Sequence, residues 1–331
     1  MTQSASAAVT YTILDLGTLG GADSQTKRYG AINGSGQVVG ASRTAGNLNH
    51  AFRTAANAAI NPATDDLSTL GGATSIANGI NFTGQVAGYS STTGGADHAF
   101  RTTAGGKVST AGADLGTFPG GTRSVANGIN DTGQVVGFSY TNANGGSHAF
   151  RTTGTGKVSD AGTDLGTLGG TQSEAWAVNA SGQAVGWSYL AGDAVFHAFR
   201  TSSTGTLGDP GSDLGTLGGT YSFGFGINGL GQAVGYAATA GYVTSAAFFA
   251  DVSGPMQNLN DLIPGDSGWV LSEAHGINNA RQIVGVGTVG GLFHAFLLTP
   301  ATPEPSALGM TLVAAVATLS RRRRMFVCPA A

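Results

Sequence analysis

The sequence predicts an all-β chain: a six-bladed β-propeller of four-stranded repeats, about 49 residues each, closed by its own N-terminal strand and followed by a short C-terminal hydrophobic helix. Three observations lead there. One unit recurs six times, each copy reads as four short strands joined by Gly- and Asn-rich turns, and the two ends of the array are incomplete in complementary ways.

The recurrence is read by aligning the phenylalanine of the HAFR segment: Phe52, Phe100, Phe150, Phe199, Phe248 and Phe296 stand 48 to 50 residues apart. Upstream of each lies an I/V-N-x-x-x-Q turn, with Asn33, Asn81, Asn130, Asn179, Asn228 and Asn278 paired to Gln37, Gln85, Gln134, Gln183, Gln232 and Gln282. A DLGT[LF] segment starts at Asp15, Asp114, Asp164 and Asp213, and a DLSTL variant at Asp66. A fixed period of this length identifies a repeat architecture before any single element is assigned.

Within the second copy the elements follow in order. Ile76 to Asn81 is the first strand, Phe82-Thr83-Gly84 its turn, and Gln85 to Ser90 the second strand. His98 to Thr103 is the third, and Asp114 to Phe118 ends the fourth. Gly and Asn supply the left-handed conformations that such turns need. The QVVGFS-type strand is apolar on both alternating faces, as expected of a sheet stacked between other sheets.

Four-stranded units of this length suit a closed propeller, and an open β-solenoid is the other architecture that accommodates them. The ends favour the ring. Tyr11 to Leu19 (YTILDLGTL) is a lone fourth strand at the start, and the last unit stops after its third strand, HAFLLT. Joining the two would close the array and remove its exposed edges.

Composition agrees and excludes some functions. Only 10% of the residues are charged and 56 are Gly, which favours short strands and tight turns over helix. The net charge is −3 although Arg321 to Arg324 hold four of the 15 basic residues, so the repeat body has no basic footprint for nucleic acid. The single cysteine, Cys328, rules out an intrachain disulfide.

The combination of DLGTLGG, GIN-x-x-GQVVG and HAFRT over residues 11–299 resembles the HAF-repeat family of bacterial extracellular proteins. The last unit, LNDLIPGDSGWVLSEAHGIN, is similar to that family's divergent closing repeat, while Ala246 replaces the motif His in copy five and Arg281 the turn Gly in copy six. The resemblance implies export and surface association and brings no catalytic residues with it.

Residues 300–331 change character. Pro303-Glu304-Pro305, the apolar run Ala307 to Leu319 and Arg321-Arg322-Arg323-Arg324 resemble a PEP-CTERM sorting tail, which implies recognition and cleavage by an exosortase-type machinery after transient membrane insertion. As a helix the run would reach roughly 20 Å, short of the ~30 Å bilayer core, a gap that snorkelling or local thinning closes. Residues 1–10 read as a leader remnant: Ser4-Ala5-Ser6-Ala7-Ala8 looks like the small-residue end of an export signal whose apolar part would lie upstream of a late-assigned start.

Motifs that invite chemistry have plainer readings. One His per unit is not metal-ligand spacing, which needs donors converging on one point, so His50, His98, His148, His197 and His294 are expected to hydrogen-bond within their own blades, and neither a metal nor a cofactor is expected. The sequon-like Asn-x-Ser/Thr turns read as backbone-bonding turns. Gly265-Asp266-Ser267-Gly268 resembles a protease nucleophile loop but lacks a triad around it. Residues that do not repeat mark a single site better. Glu174, Trp176, Trp187 and Tyr221 in units four and five, with Trp269 and Glu273 in unit six, pair aromatics with carboxylates, as sugar binding requires. The expected function is therefore a secreted, surface- or matrix-associated binding or scaffolding module, not an enzyme, with an exopolysaccharide or cell-surface glycan as ligand. The alternative is a polysaccharide-active lyase or glycosidase on the same scaffold, which should show an asymmetric carboxylate pair.

Overall fold

The structure, a computed structural model, describes residues 12–26, 31–142, 145–242 and 245–300. It is all-β, built from consecutive antiparallel meanders that follow the repeats. Unit one holds β1 (Gly20–Gln25), β2 (Val39–Thr44) and β3 (Asn49–Arg53). Unit two holds β4 (Gly71–Ile80), β5 (Val86–Thr92), β6 (Asp97–Arg101) and β7 (Asp114–Gly116), and unit three β8 (Ser124–Ile129), β9 (Val135–Tyr140), β10 (Ser147–Arg151) and β11 (Asp164–Gly166). Unit four comprises β12 (Gly169–Val178), β13 (Ala184–Leu190) and β14 (Phe196–Arg200); unit five β15 (Gly218–Ile227), β16 (Ala233–Thr239), β17 (Ser245–Ala250) and β18 (Gln257–Asn258). Unit six is β19 (Trp269–Ile277), β20 (Ile283–Val289) and β21 (Leu292–Leu298). Units four and five share one seven-stranded sheet through a parallel contact at Phe196 and Tyr221.

The core lies between units. At the junction of units two and three, Ala87 and Ala99 pack against Leu115, Ala126, Val135 and Phe150; one junction later Val136 and Ala149 pack against Leu165, Ala175 and Phe199. Each unit thus presents small residues on one face and the HAF phenylalanine on the other. Phe52, Phe100, Phe150, Phe199 and Phe248 are completely buried, which explains why that residue fixes the repeat.

Polar bonds repeat with the same period. Asn33, Asn81, Asn130, Asn179 and Asn228 each donate through Nδ2 to the backbone carbonyl of the next unit's Asn, at 2.9–3.1 Å. The serines Ser75, Ser124, Ser173 and Ser222 accept, at 2.7–2.8 Å, the backbone N–H of Ala51, Ala99, Ala149 and Ala198 in the preceding unit. Arg53, Arg101, Arg151 and Arg200 reach across to the turn-glycine carbonyls Gly84, Gly133, Gly182 and Gly231. The turn Asn side chains also accept from their own turn backbone, as at Ser35 and Ser181, so the sequon-like triplets are structural turns. In copy six Arg281 keeps that turn by adopting φ 61° where the other copies use Gly, so the shape survives at the expense of a left-handed non-glycine residue.

Two expectations need correction. The fourth strand is short: it spans three residues in β7 and β11 and two in β18, and is a single bridge at Asp66 and Asp213. The Asp carboxylate turns the chain immediately, accepting the N–H two residues on, and the Gly or Ser between them and Thr stands at positive φ (Ser68 64°, Gly116 68°, Gly166 69°). The closing pairing of residues 11–19 with the last sheet is likewise not made among the described residues. Residues 12–17 form no strand, Ile13 is wholly exposed, and β21 remains the edge of its sheet. The segment is instead held by unit one: Leu16 O accepts from Ile60 N at 2.8 Å, Leu19 N donates to Ser42 Oγ at 2.9 Å, and both leucines pack on Phe52 and Ile60.

Candidate functional site

Four of the five recurring histidines pair with a carboxylate of their own unit, while His294 has a ring contact with Trp269. Nδ1 of His50, His98, His148 and His197 lies 2.8–3.0 Å from the carboxylate of Asp66, Asp114, Asp164 and Asp213. Burial acts to raise the Asp164 and Asp213 carboxyls, but the bonds from their His and from the Gly166 or Gly215 N–H outweigh it and hold both below the ordinary 3.8. Unit five lacks the pair altogether, with Ala246 at the His position and Gln257–Asn258 in place of the Asp-bearing strand. Among the described residues no group of three His, Cys, Asp or Glu converges as a metal site would require. Ser267 Oγ accepts from Trp269 N at 3.4 Å, and His275 Nε2 lies 2.9 Å from Glu273.

The non-repeating residues behave differently. Trp187 on β13 donates through Nε1 to Glu174 Oε2 at 3.2 Å and meets Tyr189, Phe196 and Phe223 edge-on at 5.4–5.8 Å. Tyr221 stacks on Phe196 at 5.6 Å, and Trp176 meets Phe225 at the same distance. Four of the six residues singled out from the sequence therefore belong to one aromatic assembly across units four and five. Of the other two, Trp269 packs on His294 and Phe296 within unit six, and Glu273 reaches the edge of the assembly through His275, whose ring meets Phe225 edge-on at 5.9 Å.

Glu174 also faces a cleft of about 410 Å³ between units three and four, lined by Arg123, Phe138, Tyr140, Ser147 and Gln172. Antiparallel β12 brings Gln172 and Glu174 to the same face, two residues apart, and β9 does the same for Phe138 and Tyr140. Arg123 is positioned from both sides: Nε lies 3.3 Å from Asp97 Oδ2, and the guanidinium sits 5.7 Å from the Phe138 ring centre. Burial pushes the Glu174 carboxyl above its ordinary 4.5; the Trp187 bond, the Arg123 charge and a Trp176 bond pull the other way without cancelling it. The cleft thus offers a guanidinium, a carboxyl, an amide, hydroxyls and aromatic faces within one concave surface.

Arg123, Gln172, Phe138 and Tyr140 were not singled out from the sequence, although a signal was there. Arg123, Gln172 and Tyr221 occupy one repeat position, immediately before the conserved-phase serine, where unit two has Thr74. That column varies while its neighbours repeat. The sorting residues Pro303, Glu304, Pro305 and Arg321 to Arg324, and the leader residues 1–10, lie outside the described residues. Among the described residues no helix is long and apolar enough to cross a membrane. No model of a known protein family matches the chain, and no curated protein matches it.

Proposed function

We propose that this chain is an exported, surface- or matrix-associated binding and scaffolding protein that takes carbohydrate in the cleft between units three and four, its six units forming the blades of one ring. The observation that carries the reading is the make-up of that cleft. Arg123, Gln172 and Glu174 supply hydrogen-bond donors and acceptors for hydroxyls, and Tyr140 with Phe138 supplies apolar faces for a pyranose ring, all on rigid strands. Hydrolysis would call for a second carboxyl across the scissile bond, about 5–10 Å from the first. Glu174 is the one carboxyl among the lining residues, which favours binding over the glycosidase alternative.

A glycan array probed with the whole protein tests the reading. Bound glycans should be lost or weakened about tenfold or more by Glu174→Gln and by Tyr140→Ala, corresponding to about 1.4 kcal/mol or more each. Binding that survives both substitutions would move the site elsewhere, and an array without a bound glycan would remove carbohydrate from the proposal.

Export rests on residues 300–331. With Ala307 to Leu319 in the bilayer, Arg321 to Arg324 resist translocation at about 2.5–3.5 kcal/mol per arginine at mid-membrane, which leaves the repeats outside and the arginines inside. Resemblance to the PEP-CTERM tail then points to an exosortase-type machinery cleaving near Pro303-Glu304-Pro305. In a host with that machinery and an export signal, the intact mass of the surface protein should correspond to a chain ending near Ser306. A mature chain that still ends at Ala331 would defeat the sorting proposal.

A further inference from the structure

Each unit but the last covers the outer edge of its third strand. Units two, three and five add a fourth strand of two or three residues, and units one and four add a single bridge, at Asp66 and Asp213. Four of these third strands also end in a charge, at Arg53, Arg101, Arg151 and Arg200. Unit six has neither device. Among the described residues β21 has no strand on its outer side, it holds no Asp, Glu, Lys or Arg, and it pairs one-to-one with β20 along its whole length without a bulge. Leu292, Phe293 and Leu297 are 60–76% exposed along it, and Leu297 occupies the repeat position of the four arginines.

The other units show which backbone groups lie on that side. The N–H of Arg53, Arg101, Arg151 and Arg200 donates outward to Asp65, Ala113, Thr163 and Ser212 O at 2.8–3.1 Å, and Ala51 and Ala198 O accept from Leu67 and Leu214 N. At the same phase, the N–H and C=O groups of Phe293, Ala295 and Leu297 point away from β20. Among the described residues no backbone bond is made to them on that side. A long, regular, uncharged edge of this kind is a template for a further strand. The N-terminal segment of the same chain is engaged elsewhere, with Leu16 and Leu19 on Phe52 and Ile60.

We infer that β21 is a self-pairing edge, adding antiparallel to β21 of a second copy about a two-fold axis at Ala295 and joining two chains through one continuous sheet. The register is the one that overlaps the whole strand, Leu292–Leu298. It sets Ala295 opposite its counterpart, Phe293 opposite Leu297 of the second copy, and Leu292 opposite Leu298 of the second copy. The pairs formed by Phe293, Ala295 and Leu297 exchange both N–H···O bonds, because their backbone groups already face outward. Apolar side chains then meet across the seam, with the small Ala at the axis, and pairing removes Leu292, Phe293 and Leu297 from water. A two-fold axis brings like residues together, so a strand without ionised carboxylates, lysines or arginines is the kind that tolerates it. This match of β21 with itself, residue by residue, selects a second copy over an unrelated strand. On the carbohydrate reading the pair would carry two clefts and bind a repeating polymer with avidity. The pairing itself depends neither on that reading nor on whether the six units close.

The test uses the full chain in detergent with Cys328→Ser and Ala295→Cys, treated with a short bis-maleimide. The two Cα atoms at the axis would lie about 5.5 Å apart, as in any hydrogen-bonded antiparallel pair. The expected product is a bridged dimer with the mass of two chains and one linker. Thr155→Cys in the same background, exposed on unit three, should give none. Adding Phe293→Lys and Leu297→Lys sets lysines directly opposite one another and should cut the bridged fraction about tenfold or more. Both residues are more than half exposed, so neither change opens the core. Phe293→Glu with Leu297→Lys should restore bridging, since each carboxylate then meets a lysine of the second copy. Chain left unbridged by Ala295→Cys, or bridging that survives the two lysines, would overturn the inference. Equal bridging through Thr155→Cys would reduce the product to collision and overturn it as well. Loss with the lysines but no recovery with the glutamate–lysine combination would overturn this register and the strand pairing with it.

Discussion

Replacing Asn130 by Ala is expected to cost about 2–4 kcal/mol, the sum of two or more buried polar groups left without partners at about 1–3 kcal/mol each. Asn130 is 6% exposed and its side chain ties two units together. Nδ2 donates to Gln134 Oε1 at 2.8 Å and to Asn179 O at 2.9 Å, while Oδ1 accepts from Thr132 N at 3.1 Å and Gln134 N at 2.9 Å. Water cannot easily replace the bond to Asn179 O, because the Asn130 side chain is buried there although Asp131 and Thr132 of its turn are exposed. Asn130→Asp should be as damaging, since it keeps the acceptors but aims a carboxylate oxygen at two other oxygens. The same change at Asn278, which is exposed and at the end of the series, should cost under about 1 kcal/mol. Chemical denaturation of the three variants measures this. Equal, small losses at Asn130 and Asn278 would show that the asparagine series does not couple the units.

Phe150→Ala should be the more damaging substitution, at about 3–5 kcal/mol for a large ring removed from a packed core. Phe150 is 0% exposed and meets Phe118 edge-on at 6.5 Å, among Ala87, Ala99, Leu115 and Val158. Because this core belongs to the junction of units two and three rather than to one unit, the void loosens the connection between neighbours. Stability in a repeat array is carried largely by nearest-neighbour interfaces, so melting should broaden or split as the two sides of the junction unfold apart. Phe150→Leu, which refills most of the volume, should recover most of the loss and restore one transition. A single sharp transition in Phe150→Ala, within about 1 kcal/mol of the parent, would mean that the junction is not where the stability resides.

Both results would follow from residues that the repeat period picks out unaided. Phe and Asn recur because a junction built five times needs the same ring and the same amide each time, and a pattern that physics demands repeatedly is visible in one chain. The candidate cleft was visible in part for the converse reason. Glu174, Trp187 and Tyr221 stood out because they break the period, yet Arg123 and Gln172 were passed over, since a polar residue at a varying position looks like ordinary surface until its neighbours are known. Trp269 and Glu273 broke the period too, and the structure spends them on packing against Phe296 and on His275.

The sequence by itself determined the all-β class, the six units, their phase and the turn chemistry, because alternation, glycine placement and a fixed repeat length are local properties of the chain. It also led to the expectation that each His bonds within its own unit, but only the structure named the partners, Asp66, Asp114, Asp164 and Asp213 for His50, His98, His148 and His197, and set His294 against Trp269 instead. Only the tertiary structure decided how far the fourth strands run, which residues from units three and four face one cleft, and that Leu16 and Leu19 dock on Phe52 while β21 keeps a free edge. Those outcomes depend on which surfaces of separate units meet. Strand alternation puts Val284 and Ala295 at positions that other units bury, but only packing in three dimensions shows that both stay exposed on the last sheet.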